Sequence, residues 1–219
     1  MAEGSFFSKL REPVNGLTHF FAAIAAKLGL VVLIALSWGR LSDLISTTVY
    51  GVSLILLFGA SAAYHLVKAR PEVIAKLRKF DHAAIFLLIA GTYTPVCMAL
   101  TGFWKWGLLS VIWVLAAIGI LVKMFVMKAP RWLTAGVYLV MGWLCLAAMG
   151  EMLRVLPTGA IAWLVAGGLL YSFGAIVYIT KAFNFIPNVF GFHEVWHIFV
   201  ILAAASHYVA IAVYVVPVG

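Results

Sequence analysis

Histidines and one aspartate stand at the ends of several hydrophobic stretches of this chain, where side chains of these types can hold a metal ion. His193 and His197 are four positions apart, so on a helix both imidazoles project from one face with their Cβ atoms about 6 Å apart. His65 ends one hydrophobic stretch and Asp81 precedes another. An ionised carboxylate at a transmembrane helix centre costs about 2.5–3.5 kcal/mol on insertion scales, so such groups tend to persist where something binds them.

The composition is that of an integral membrane protein. Of 219 residues, 65% are hydrophobic and 10% are charged, and the mean hydropathy is +1.12. A membrane-crossing helix needs about 20 mostly apolar residues, and seven such stretches fit the chain. The sequence therefore predicts an all-α, seven-transmembrane-helix bundle forming one membrane domain over residues 1–219. The expected helices lie at about 17–38, 45–67, 82–100, 106–127, 132–150, 160–180 and 194–216.

Basic residues divide unequally between the two faces of this bundle. With the N-terminus inside, eleven Lys and Arg residues fall in inner segments and three in outer segments, while Lys27 lies within the first span. The positive-inside rule then predicts a cytosolic N-terminus and an external C-terminus in the plasma membrane. This bias also explains the excess of 15 basic over 7 acidic residues, so we expect no nucleic-acid partner. Cys97 and Cys145 lie in apolar spans and are expected to be packing residues.

On this topology the metal-type residues share one depth at the cytosolic face. Catalytic zinc sites use three protein ligands and leave a fourth position for water, so one interpretation is Zn²⁺ held by His65, His193 and His197. The other is that these histidines are interfacial or hydrogen-bonded core residues. Asp81 would hydrogen-bond that water, as a general base or an orienting group. Ser61, one turn before His65, would hold either the aspartate or the water. The predicted catalytic residues are therefore Asp81 and Ser61.

Four other polar residues are left without a single role. His19 and His82 are expected near the metal ligands or at the membrane interface, and His207 lies about four turns beyond His193. Lys27 inside the first span would snorkel to the interface, line a cavity or pair with a lipid phosphate.

Three other chemistries use residues of these types. His193 to His197 matches H-E-x-x-H, in which Glu194 would be the general base of a metalloprotease, but here the pattern stands at a membrane boundary without a soluble domain. A retinal protein needs a lysine in the last span, and the last lysine, Lys181, precedes it. Haem ligation favours histidines that face each other across helices, whereas His193 and His197 stand on consecutive turns of one helix.

These residues together resemble the signature of the hemolysin III proteins, within the progestin and adipoQ receptor family and the wider group that includes alkaline ceramidases. The similar stretches are Thr18-His19, Ser61-x-x-x-His65, Phe80-Asp81-His82-Ala83, Ala90-Gly91-Thr92-Tyr93-Thr94-Pro95 and Gly191-Phe192-His193-Glu194 with His197. The resemblance implies seven helices, a cytosolic N-terminus and zinc near the inner leaflet. It implies His65, His193 and His197 as ligands, Asp81 as the partner of the zinc-bound water, and no ligand role for Glu194.

The leading functional hypothesis is a zinc-dependent hydrolase acting on a membrane lipid, such as a ceramide-like amide. One alternative is a non-catalytic regulator or sensor of membrane state, in which a structural zinc ties the second and last spans together. The other is a membrane-permeabilising hemolysin, which is disfavoured because the N-terminal segment does not look like a signal peptide. The sequence predicts membrane lipid as the substrate or ligand and no protein partner.

Overall fold

The computed structural model describes residues 10–126, 129–186 and 189–218, and the secondary structure in these ranges is almost entirely helical. The helices are α1 (Pro13–Leu36), α2 (Leu41–Leu66), α3 (Pro71–Ala99), α4 (Gly102–Phe125), α5 (Arg131–Trp143), α6 (Met149–Val155), α7 (Thr158–Thr180) and α8 (Phe192–Val209). A 3₁₀ segment, Leu144–Ala148, joins α5 to α6, and a π-helical segment, Ala210–Val215, continues α8.

Seven stretches among the described residues are long and apolar enough to cross a membrane, which confirms the predicted seven-helix bundle. Helices α5 and α6 with their 3₁₀ connection count as one of these spans. Consecutive helices α1 to α4 pack side by side, α7 packs against α8, and α8 returns to contact α1. This return brings the beginning of α8 next to the end of α2.

The predicted start of the third helix, near residue 82, is wrong. Helix α3 begins at Pro71, so Asp81 lies ten residues inside the helix and does not open it. Proline suits the first position of a helix, because its fixed φ is already helical and its missing N–H would have no partner there. The following Lys and Arg residues form helix readily, so the helix begins well before the apolar segment.

The sequence predicts a single helix over 132–150 for the fifth span, but α5 ends at Trp143. Tyr93 of α3 takes over the hydrogen bonds at this break. Its hydroxyl accepts the Cys145 N–H at 2.8 Å and lies 2.9 Å from the carbonyl oxygens of Met141 and Gly142. The break places a polar group from another helix in the middle of the bundle.

Glycines let the helices that carry the site approach closely. A Cβ atom added at Gly91 of α3 would overlap the Ser53 side chain of α2, and one at Gly167 of α7 would overlap the His207 ring of α8. Small residues of this kind allow close helix contact inside membranes, where no hydrophobic force drives helices together. The positions of α2 and α8 are thus fixed by close packing against α3 and α7.

Candidate metal centre

Three histidines meet where the end of α2 approaches the beginning of α8. His65 is the last residue but one of α2, while His193 and His197 lie on the first turns of α8. The nitrogen atoms that these side chains offer all lie within 4.8 Å of one another. Ring centroids are 5.2 Å apart for His65 and His193, and 4.8 Å apart for the other two pairs. The structure therefore brings the three predicted ligands together.

The hydrogen bonds around two of these rings leave a nitrogen available for a metal. Nδ1 of His65 lies 2.5 Å from a carboxylate oxygen of Glu12, and Nδ1 of His197 lies 3.3 Å from the carbonyl oxygen of Asn15. If each Nδ1–H donates to these oxygens, Nε2 is the ligand atom, as is usual for histidines oriented by an outer partner.

Nε2 of His65 is buried and has no hydrogen-bond partner among the described residues. A buried unsatisfied polar atom costs about 1–3 kcal/mol, so its presence calls for an explanation. A metal ion would satisfy it. Three neutral imidazoles are a donor set that suits Zn²⁺ with one open position, so the residues present fit the predicted ion.

Glu12 stands just before α1 and was not identified from the sequence. Its pKa is lowered from the ordinary value, first because it hydrogen-bonds to His65 and further because of the nearby positive charge of Arg11. The Arg11 guanidinium lies 3.2 Å from the Glu12 carboxylate and 4.2 Å from the centroid of the Tyr64 ring. Glu12 is therefore an ionised carboxylate held against the outer side of a candidate ligand.

Glu194, the candidate base of the metalloprotease interpretation, is engaged elsewhere. One carboxylate oxygen accepts the backbone N–H of Gly191 at 2.7 Å, and the other accepts the side-chain amide of Asn15 at 2.7 Å. Glu194 thus caps the N-terminus of α8 and ties it to α1. The same Asn15 offers its carbonyl to His197, so this contact also positions a candidate ligand.

Asp81 and Ser61 line the same cavity as the three histidines. The Ser61 hydroxyl lies close to the Asp81 carboxylate, and the catalytic roles of the two residues stay predictions. Asp81 is half-buried and Ser61 is buried, and both residues contribute to the wall of this cavity. The cavity therefore holds three imidazoles that could bind a metal ion and a carboxylate near them.

The cavity has a volume of about 400 Å³ and runs from the histidine cluster into the bundle. It reaches His207, which lies ten residues beyond His197 on α8, a separation of about 15 Å at 1.5 Å per helical residue. Between these ends the walls are largely apolar, with the side chains Leu57, Ile85, Leu88, Ile89, Leu139 and Val200. The cavity therefore joins a polar end to a long apolar interior.

The other histidines have distinct surroundings. The His19 ring stacks on His197 with centroids 3.8 Å apart, and both His19 nitrogens are buried without a partner among the described residues. His82 lines the cavity, and His207 lies with Nε2 3.0 Å from the Leu164 carbonyl. Of the two expectations for His19, a place beside the metal ligands is the one that the structure supports.

The sequence of this chain is similar to one protein family model and to several known proteins. The family model described as "Haemolysin-III related" matches residues 7–208. The chain is 38% identical to "Hemolysin-3" of Bacillus cereus over 94% of this chain and 92% of the relative. It is 36% identical to "Hemolysin-3 homolog" of Bacillus subtilis, over 97% and 98%. A human relative, "Monocyte to macrophage differentiation factor", is 29% identical over 90% of this chain and 81% of its own length.

Proposed function

Because the chain belongs to the haemolysin III family, we propose that it is a zinc-binding membrane protein that hydrolyses lipid amides or related membrane lipids near the inner leaflet. The observation that carries the proposal is the meeting of three imidazoles, one with an unsatisfied buried nitrogen, at the end of an apolar cavity. The polar end suits chemistry on a headgroup bond, and the apolar interior suits a lipid chain.

Each residue of the site has a role in this proposal. His65, His193 and His197 would hold the ion, and zinc, when bound, supplies a Lewis acid and an acidified water. Asp81 takes a proton from the attacking water and returns it to the leaving nitrogen, while the water oxygen bonds to the carbonyl carbon and the C–N bond breaks. Ser61 keeps the Asp81 carboxylate oriented towards the histidines.

The apolar part of the cavity binds and orients the substrate. Each methylene group removed from water contributes about 0.8 kcal/mol, but a lipid already surrounded by other lipids gains little from this term. The cavity therefore serves mainly to fix the position of the scissile bond beside Asp81 and to exclude other membrane lipids by shape.

We place the centre on the cytosolic side of the plasma membrane. Arg78 and Arg131 line the cavity near the histidines, and Lys123 lies close by, so this end of the bundle is rich in basic residues. The positive-inside bias supports a cytosolic position for this end.

Asp81→Asn tests the hydrolase directly. We expect the purified variant to keep its zinc and its melting temperature but to lose about 10²–10⁴-fold in turnover of lipid amides, the usual contribution of a general base. The control is Asp43→Asn, the same chemical change near the beginning of α2, whereas the site lies at the end of that helix. Asp43 pairs there with Arg40 at 3.1 Å. Lipid amide turnover by Asp81→Asn at the rate of the parent would contradict the mechanism.

A structural zinc in a regulatory protein is the second candidate. It is favoured because the centre joins several parts of the chain. The candidate ligands come from α2 and α8, and two of them are hydrogen-bonded to Glu12, just before α1, and to Asn15 of α1. This function predicts a zinc-loaded protein that turns over no lipid and loses stability when a chelator removes the metal. Product analysis of the zinc-loaded parent by mass spectrometry separates the two candidates.

A further inference from the structure

A second, smaller pocket of about 30 Å³ shares part of its wall with the main cavity. Three cations from three different helices line it: Arg78 of α3, Lys123 of α4 and Arg131 of α5. His82 and Thr134 complete its polar wall and also line the main cavity. None of the roles proposed for the metal centre uses this group of cations.

Lys123 is a buried cation without a matching anion in the described part of the chain. The residue is only 7% exposed, and its ammonium donates a hydrogen bond to the Thr134 hydroxyl at 3.0 Å. Described carboxylates form ion pairs with Arg11, Arg40, His65 and Arg154, not with Lys123. An ammonium has three donors, and burying it without a counter-charge is costly. An anion bound here would offset that cost.

Two arginines, Arg78 and Arg131, also line this pocket. The Arg131 guanidinium lies 5.3 Å from the Tyr178 ring centroid and 5.1 Å from that of Phe192, which holds it by cation–π contact. Arg78 is exposed to solvent. Asp81, which lines the main cavity, is close enough to interact with it. Three cations against one carboxylate leave the pocket with an excess of positive charge.

We propose that this pocket binds the phosphate group of a membrane lipid. An arginine presents paired donors that match phosphate oxygens, and a lysine adds a compact positive charge. A volume of about 30 Å³ admits two oxygen-sized groups, given that one water needs about 10–15 Å³ on this measure. The remainder of the headgroup would lie outside this pocket.

The position of the pocket favours a lipid phosphate as the source of the anion. Lys123 is near the end of α4 and Arg131 is the first residue of α5, so the pocket lies at one end of the bundle, where lipid headgroups are found. Because its wall is shared with the main cavity, a lipid bound by its phosphate can extend an acyl chain into the apolar interior. Phosphate binding requires neither the metal nor turnover, so it stands independently of the proposed hydrolase.

Native mass spectrometry of the detergent-purified protein tests the proposal, with phosphatidylglycerol, a diacylglycerol of the same acyl chains and inorganic phosphate as probes. We expect phosphatidylglycerol to bind more tightly than diacylglycerol. Lys123→Met, which keeps the length of the side chain, and Arg131→Gln should each weaken this binding by about fivefold, equivalent to about 1 kcal/mol per cation near a membrane surface. Lys76→Met, which removes an exposed cation of α3 outside the pocket, should leave it unchanged.

The outcomes distinguish the possibilities. Competition by inorganic phosphate, lost in Lys123→Met, would also support the anion site and would identify free phosphate as a second source. Equal retention of diacylglycerol, or equal loss in the Lys76 variant, would overturn the proposal. Arg131 is exposed, so its variant answers the question even if Lys123→Met fails to fold. His193→Ala should lose zinc but keep phosphatidylglycerol, so failure of the metal centre is recognised separately.

Discussion

Replacing Glu12 by glutamine is expected to weaken the proposed binding of zinc at the three histidines without removing a candidate ligand. In the structure the Glu12 carboxylate lies 2.5 Å from Nδ1 of His65, on the side of the ring away from its unsatisfied Nε2. An ionised acceptor at Nδ1–H fixes the ring orientation and makes the opposite nitrogen more basic. Glutamine keeps the size of the side chain but presents a neutral oxygen, so the electrostatic part of this effect is lost.

The size of the loss follows from the exposure of Glu12. Removing an outer partner of a metal-ligating histidine costs about 10–100-fold in metal affinity. The Glu12 side chain is 42% exposed and is shared with Arg11 at 3.2 Å, so solvent and the guanidinium already weaken its effect on His65. We therefore expect the lower limit, about tenfold, which corresponds to about 1.4 kcal/mol of binding free energy.

Competition with a zinc chelator measures this change in the purified protein. The matched control is Glu72→Gln, which alters an exposed carboxylate in the first turn of α3 and should bind zinc like the parent. Zinc should stabilise the Glu12 variant against heat less than it stabilises the parent, while the metal-free proteins melt alike. Unchanged zinc affinity in Glu12→Gln, or equal losses in both variants, would refute the proposed role of this carboxylate.

Two further predictions concern α8 and the topology. Glu194→Ala removes the acceptor of the Gly191 N–H and the partner of the Asn15 side chain. We expect the free energy of unfolding, measured by denaturation in detergent, to fall by about 1–2 kcal/mol, as for other lost helix caps. Lost turnover with unchanged stability would instead favour the metalloprotease interpretation. The second prediction tests the topology with a membrane-impermeant thiol reagent on intact cells. The reagent should label Trp38→Cys, in the turn after α1, but not Arg70→Cys, in the turn after α2. The opposite pattern would place the metal centre at the outer face.

The meeting of the three histidines could be predicted because two simple geometric rules are enough. His193 and His197 share a helix face through their spacing, and the alternation of spans across the membrane places the end of α2 at the same face as the start of α8. Seven long apolar stretches made the number of spans equally plain. Both rules depend on helix geometry and bilayer thickness, which hold whatever the details of packing.

The contacts that orient the ligands could not be predicted in the same way. Glu12 and Asn15 are far from His65 and His197 along the chain, and they reach them because α1 packs against both α2 and α8. Which helices become neighbours depends on side-chain fit across the whole bundle. A cluster of polar residues just before the first apolar stretch was the one signal available in the sequence.

The hydropathy of the sequence also predicted the wrong start for α3 and no break in the fifth span. It measures the apolar part of a segment, whereas α3 extends from Pro71 through charged residues before it becomes apolar. The break after Trp143 depends on Tyr93, a residue 50 positions earlier, whose hydroxyl replaces a helical hydrogen-bond partner for Cys145. Neither feature leaves a local hydrophobic pattern.

The position of the H-E-x-x-H pattern within its helix explains why its glutamate differs from that of a metalloprotease. The first four N–H groups of a helix have no partner within the helix, and Glu194 stands at the third position of α8, where its side chain can reach back to the N–H of Gly191. In the interior of a helix those N–H groups are already bonded, and the same carboxylate would be free to act as a base. Here Gly191 and Asn15 each bond to one oxygen of Glu194, whereas the carboxylates that line the cavity are Asp81 of α3 and Glu12, which is bonded to His65.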